Sequence, residues 1–492
     1  MRAPRGRRAP TGDGRLPARV ELAGALALAL AAVVFWALAP TYPNYDSYYH
    51  LVWGRELLDG LTPSFEAYAA PTQHPLYVAL GALLSLLGEG GDRALVLVCL
   101  LSHVALVVGT YRLGAVALGR WPGVLGAAFV AASASFLLYA ARAYVDAPFL
   151  ALVVWAGAFE AERRATTVRA LAPVAVTLAL AALLRPEAWV LAAGWWLWVA
   201  PRRTTGTGAR VLVTLVLAGP PLLWALVDLA VTGDALHSLN ATRELADELD
   251  RERGLAAVPG AFVRFIGATV RPPVAVLAVL GLWLIVRRRG WRPARVPLAL
   301  FAAGVATYVG TGVLGLSILP RYLTVPAVAL CLFAGYALAG FTTLPAGDPA
   351  RRRWARLSAG AAVLGVAALA LLAPSLDRIG AELRFIRDSH DGLVALLDDP
   401  EVRAAWRCGP ITFPTYRLVP DARWHLDAPR ARVGARSARR RPYGVAVFAL
   451  TPKGLRRFGF AQGASTLTNL PDPGYVPIAR NARFSAYARC PA

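Results

Sequence analysis

The chain has 492 residues, of which 57% are hydrophobic and 17% charged, with a mean hydropathy of +0.49. Those values exclude an ordinary soluble domain and define a polytopic membrane protein. The net charge of +22 does not point to nucleic acid, because Lys453 is the only lysine and the arginines sit between apolar runs rather than along one basic stripe.

In chain order, residues 1–19 form a basic, Pro/Gly-rich tail, expected to be disordered and cytoplasmic. The apolar run Val20 to Ala39 is long enough to span a bilayer. Pro-Thr-Tyr-Pro follows it instead of a small-residue cleavage site, so it reads as a retained first helix, not a signal peptide. The connection 40–92 holds YPNYDSYYH and then HPLYVALGALLSLLG at 74–88. The second stretch is too short to cross a hydrocarbon core and is expected to lie along the outer membrane surface.

Further apolar runs lie near 93–111, 122–139, 147–161, 169–184, 187–200, 210–231, 266–286, 294–313, 322–343 and 357–374, giving eleven expected spans with the first. Every second loop carries arginines: Arg112/Arg120, Arg163/Arg164/Arg169, Arg202/Arg203/Arg210, Arg287/Arg288/Arg289 and Arg351/Arg352/Arg353. The positive-inside rule places these loops and the N-terminus in the cytoplasm. The expected fold is therefore mainly α, a transmembrane domain over 20–374 followed by a small extracytoplasmic α/β domain over 375–492. Strand-like YGVAVFAL at 443–450 and helix-like DGLVALLDDPEVRAAW at 391–406 give the tail that character.

Cys99 and Cys331 fall inside apolar runs and read as core residues. Cys408 and Cys490 both lie in the tail on the oxidising side, where a disulfide between them is expected and two unpaired thiols are the alternative.

The outer connections 40–92, 139–147, 184–187, 232–265 and 314–321 hold the candidate chemistry. If DSYYHLVWGRELL is helical, Asp46, Tyr49, His50, Trp53 and Leu57 share one face. Asp146 in RAYVDAPF and Glu187 in LLRPEAW bring two more carboxylates to the same side. Arg142, Arg185 and Arg321 are single cations where the charge rule keeps arginine scarce, so something other than topology retains them. A guanidinium fork suits a phosphate and a carboxylate can take a proton from a hydroxyl, so these residues together suit a phosphate ligand and an attacking hydroxyl.

Structural readings stand beside these. Asp46 could cap its helix, Asp146 could cap the helix starting at Ala147 and pair with Arg142, Glu187 could pair locally with Arg185, and Arg321 with Tyr322 could be an interfacial anchor. His50 and His74 have no spaced partner and make a weak metal signal.

In these residues the chain resembles the GT-C superfamily of integral-membrane glycosyltransferases, in particular the branch with aminoarabinose transferases and protein O-mannosyltransferases. The matching pieces are YDSYYH, QHPLY at 73–77, RAYVDAPF, LLRPEAW and LPRYL at 319–323, in the family's order over about residues 20 to 345. The resemblance implies transfer of a sugar from a polyprenyl-phosphate donor to an envelope glycan, lipid or protein on the outer face of the cell membrane. It implies Asp46 as general base, Asp146 assisting, and Arg321 on the carrier phosphate; Arg185 and Arg142, read from their placement on the outer side, are further candidate phosphate ligands. Tyr49, His50, His74, Glu187 and Tyr322 are candidate substrate contacts. Where many members of the branch have Asp-Glu, Ser47 follows Asp46 here, and the WWDYG motif of oligosaccharyltransferases is missing; GWWLW at 194–198 lacks its acid. The resemblance leaves a divalent metal open: carboxylates would suit Mg or Mn, and arginines can serve in its place. The competing class is a transporter or flippase of lipid-linked sugar, which ordinarily carries ionisable residues near the bilayer midplane, whereas the spans here are almost purely Ala, Leu, Val and Gly.

Overall fold

The computed structural model describes residues 15–370, 373–460 and 466–491. Residues 1–14 of the basic tail and 371–372 of the last expected span lie outside the described residues.

The membrane part runs α1 (Ala18–Leu38), α2 (Tyr45–Leu58), α3 (Pro75–Ser85), α4 (Gly91–Ala117), α5 (Arg120–Ala131), α6 (Ala134–Ala141), α7 (Asp146–Glu162), α8 (Val168–Leu184), α9 (Glu187–Val199), α10 (Thr207–Thr232), α11 (His237–Glu248), α12 (Val258–Val270), α13 (Pro272–Arg289), α14 (Arg295–Val313), α15 (Thr324–Ala339) and α16 (Pro349–Ala370). Helix α15 is the centre, buried along nearly its whole length against α13, α5 and α14. Helix α1 buries no residue within the chain and presents Leu22, Leu26, Leu30 and Leu38 outward. Its 21 residues make a rod of about 31 Å, the thickness of a hydrocarbon core.

By length and composition, five helices among the described residues suffice to cross a membrane, or seven if two bent pairs each count as one. The bends fall inside runs that hydropathy alone reads as continuous. Helices α5 and α6 meet at 57°, and α12 and α13 at 97°, where Arg271 takes a φ of 68° before two prolines. The runs near 147–161, 169–184 and 187–200 become the shorter helices α7, α8 and α9.

The tail begins with α17 (Ala373–Leu397). The helix expected over 391–406 is two: the Asp399 side chain accepts from Glu401 N and Pro400 takes the first helical position, so a new helix, α18 (Pro400–Ala405), starts there. After it come β1 (Ile411–Phe413), α19 (Val419–Leu426), β2 (Val433–Ala435), β3 (Gly444–Ala449), β4 (Val476–Arg480) and β5 (Phe484–Arg489). The five strands form one mixed sheet in the order β2-β1-β3-β5-β4, parallel from β2 to β3 and antiparallel beyond. Buried Leu393, Leu396 and Leu397 of α17 belong to the same apolar cluster as Val445, Val447 and Phe484. Cys408 and Cys490 are disulfide-bonded, their Cα atoms 5.0 Å apart across 82 residues, and Cys99 and Cys331 are buried thiols.

The tail rests on the connection 40–92. The guanidinium of buried Arg423 reaches Glu56 at 2.6 Å and Ser64 Oγ at 2.9 Å, and Arg55 donates to the carbonyls of Arg423 and Trp424 at 2.9 Å each.

Candidate active site

Helix α2 starts where it does because Asn44 caps it: the Asn44 side chain accepts from Asp46 N at 2.8 Å and Ser47 N at 3.4 Å. Asp46 is thereby free of the capping role. The Asn44 amide also donates to Arg142 O, and Ser47 Oγ and Tyr77 OH both donate to Ala143 O at 2.5 and 2.6 Å. Ala143 is in the left-handed region at φ 50°, so α2, α3 and the 139–147 turn are held as one unit. Helices α2 and α3 cross backbone to backbone. A Cβ on Gly54 would stand 2.1 Å from Ala82 N and one on Gly81 2.3 Å from His50 O, so no larger residue fits at the crossing.

Three ion pairs meet here. Asp46 Oδ2 faces Arg321 Nη1 at 3.1 Å, both side chains about a quarter exposed. Behind them Arg185 is clamped between Asp146, which is wholly buried, and Glu187. Its guanidinium also lies 5.2 Å from the ring of Tyr322 and 5.6 Å from that of Phe149. Asp146 makes no side-chain cap for α7; its partner is Arg185, 39 residues on. Arg142 is used differently from the expectation: its Nε and Nη2 donate to the carbonyls of Tyr42 and Pro43, at 2.9 Å each, and hold the start of the outer loop.

The two histidines stack, with ring centroids 5.0 Å apart. His50 Nδ1–H donates to Asp46 O at 2.6 Å, which leaves Nε2 with its lone pair. Burial lowers the His50 pKa to about 4. His74 is also held well below the usual range, by burial first and then by His50, Arg185 and Arg321. Both rings are neutral at ordinary pH.

The cluster leaves an unusual set of buried polar atoms without partners: His50 Nε2, His74 Nδ1, Asp146 Oδ2, Glu187 Oε2 and Arg321 Nε. Buried polar groups are ordinarily satisfied, so their concentration at one place marks a site with capacity left for a ligand. Among the described residues no group of three or more His, Cys, Asp and Glu side chains is arranged to hold a metal. Each carboxylate already faces a guanidinium.

Sequence reasoning singled out the carboxylates, arginines and histidines that meet here. It missed Trp224, buried and edge-on to His74 at 5.7 Å, which looks like one more apolar residue of α10. It also missed Asn44, whose position just before the polar turn of α2 is a readable capping signal.

The fold of the chain is shared with solved structures. Among solved structures the chain is similar to ArnT from Cupriavidus metallidurans bound to undecaprenyl phosphate, with 16% identity, a TM-score of 0.53 and coverage of 96% of this chain and 98% of that one. The apo state of the same protein gives a TM-score of 0.56 at 16% identity, covering 95% and 98%. The archaeal oligosaccharyltransferase AglB from Archaeoglobus fulgidus, in complex with an inhibitory peptide and a dolichol-phosphate, gives 0.51 at 13% identity over 84% of this chain and 64% of that one. No family model matches the chain and no curated protein matches it in sequence.

Proposed function

We propose that the protein is a multi-pass cell-membrane glycosyltransferase that moves a sugar from a polyprenyl-phosphate carrier to a hydroxyl or amine of an envelope glycan, lipid or protein. The reaction is placed on the outer face, with the N-terminus cytoplasmic and the tail extracytoplasmic. The observation that carries this reading is the Asp46–Arg321 pair, set among buried polar atoms without partners at the end of an apolar bundle. Likeness in fold to proteins solved with undecaprenyl phosphate and with a dolichol-phosphate supports the donor class.

The chemistry follows from the pair. A phosphate arriving at Arg321 competes with Asp46 for the same guanidinium, because both offer anionic oxygens to one fork. Once Asp46 loses that partner its carboxylate oxygen is free to face the acceptor group. The acceptor O–H or N–H then gives its proton to Asp46 as the new bond to the anomeric carbon forms. The bond from that carbon to the phosphate oxygen breaks, and the electron pair leaves with the carrier phosphate, stabilised by Arg321. A single displacement inverts the anomeric centre. Asp146 and Glu187 fix Arg185 behind the pair, so the wall behind Arg321 does not move during the reaction.

The test is transfer by purified protein from a panel of radiolabelled polyprenyl-phosphate sugars, with native envelope extract as acceptor. Label on an acceptor with wild type supports the reading. Donor that binds but is never consumed would overturn it in favour of a lipid-linked-sugar flippase.

A further inference from the structure

The arginine run in the tail sorts into two sets. Arg436 and Arg440 share the carboxylate of Asp472, at 3.2 and 3.0 Å. Arg439 and Arg441 have no side-chain hydrogen bond or ion pair among the described residues, and both line a cavity of about 140 Å³ between the tail sheet and the connection 40–92. Two more arginines line it, Arg423 and Arg430, while no carboxylate does. Those two are already held, Arg423 by Glu56 at 2.6 Å and Arg430 by the Glu66 carbonyl at 2.5 Å. The positive charge left over is that of Arg439 and Arg441.

A second observation comes from the other wall. The cavity reaches the buried side chain of Tyr49. Tyr49 lies three residues after Asp46 on α2, about 4.5 Å along the helix axis. The wall formed by Tyr49, Ala67 and Tyr68 belongs to the same connection that carries Asp46, and the remainder is built by the tail. Uncompensated guanidiniums in a concave site concentrate anions and offer the fork that matches a phosphate or carboxylate.

We propose that this cavity is the acceptor-selecting subsite and that its ligand is a saccharide carrying phosphate or carboxylate groups. The assignment rests on the transferase reading of the Asp46 site. The anionic group sits on Arg439 and Arg441, and the saccharide extends past Tyr49 so that a neighbouring hydroxyl reaches Asp46.

The experiment uses full-length protein in nanodiscs of zwitterionic lipid and three fluorescent probes of similar length: an oligogalacturonate, a glycerol-phosphate oligomer and a neutral malto-oligosaccharide. At least one anionic probe is expected to bind and the neutral one not to. Arg439→Gln with Arg441→Gln should weaken that binding about tenfold or more, since hydrogen bonds to charged groups are lost. Arg456→Gln with Arg480→Gln, two exposed arginines elsewhere on the tail, should leave it unchanged. Equal loss in both double variants, equal binding of the neutral probe, or no binding of either anion would overturn the proposal. In transfer assays the Arg439/Arg441 variant should raise the acceptor KM and leave kcat near wild type. Donor consumption without anion binding would remove the subsite and leave the transferase reading standing. Arginine-dependent anion binding without consumption of any donor would overturn the role as an acceptor subsite together with the transferase reading.

Discussion

Changing Asp to Asn at two neighbouring carboxylates should give opposite outcomes, and the structure sets the magnitudes. Asp46 and Arg321 are 29% and 25% exposed at their side chains, and a pair open to water to that degree contributes about 0–1 kcal/mol. Asp46→Asn should therefore leave the unfolding midpoint of the detergent-solubilised protein within a degree or two of wild type. Turnover should fall about 100-fold or more, the usual range when a general base is removed. Asp146 and Arg185 are 0% and 5% exposed. Breaking such a pair from one side costs about 3–5 kcal/mol, toward the lower end here because Glu187 still holds Arg185. Asp146→Asn should thus lower the midpoint by several degrees. Thermal unfolding followed by tryptophan fluorescence, run beside the transfer assay on the same preparations, separates the two. The reasoning fails if Asp46→Asn keeps more than about a tenth of the turnover, or if it destabilises the protein as much as Asp146→Asn does.

Arg321→Ala should raise the donor KM about tenfold or more while the acceptor KM moves little; an unchanged donor dependence would remove Arg321 from the phosphate site. A pH effect is expected at the seam between tail and membrane part, where His390 lies among Tyr42, Tyr48, Asp92, Asp391 and Asp421. Burial alone would lower the His390 pKa, but the carboxylates of Asp421, Asp92 and Asp391 outweigh it and raise the group above its ordinary value. A raised folded pKa means the stabilisation is fully present below about pH 6.5 and is lost as pH climbs through the folded value. Hydrogen exchange in α2 and α19 should therefore quicken with rising pH beyond the intrinsic rate change. His390→Gln should abolish that excess; a pH response persisting in this variant would refute the assignment.

The membrane character and the polar outer rim were legible because both are written locally, in runs of apolar residues and in arginines placed against the charge rule. Asp46, Asp146, Arg185 and Arg321 stood out in that way and do converge. Arg142 stood out by the same signal, yet its guanidinium holds the Tyr42 and Pro43 carbonyls, because charge placement says where a cation is and not what it touches. The pairing of Asp146 with Arg185 across two helices is a tertiary fact with no local trace. Helix breaks at Ser133 and Arg271 escaped a hydropathy window, although the prolines after Arg271 announce the second. In the tail, Asp399-Pro400 was a readable cap and stop hidden inside an otherwise helical pattern.

Helix α2 has its first turn at the Asp46 site and its last turn, Arg55 and Glu56, fastened to α19. Its 14 residues make a stiff strut of about 21 Å. Anyone exchanging tails between proteins of this fold meets that strut first. A donor tail grafted without matching partners for Arg55 and Glu56 leaves a buried guanidinium or carboxylate bare at one end and a loosened Asp46 at the other. The practical cut for a chimera therefore runs through the membrane part as well, and the last turn of α2 has to travel with the tail it serves.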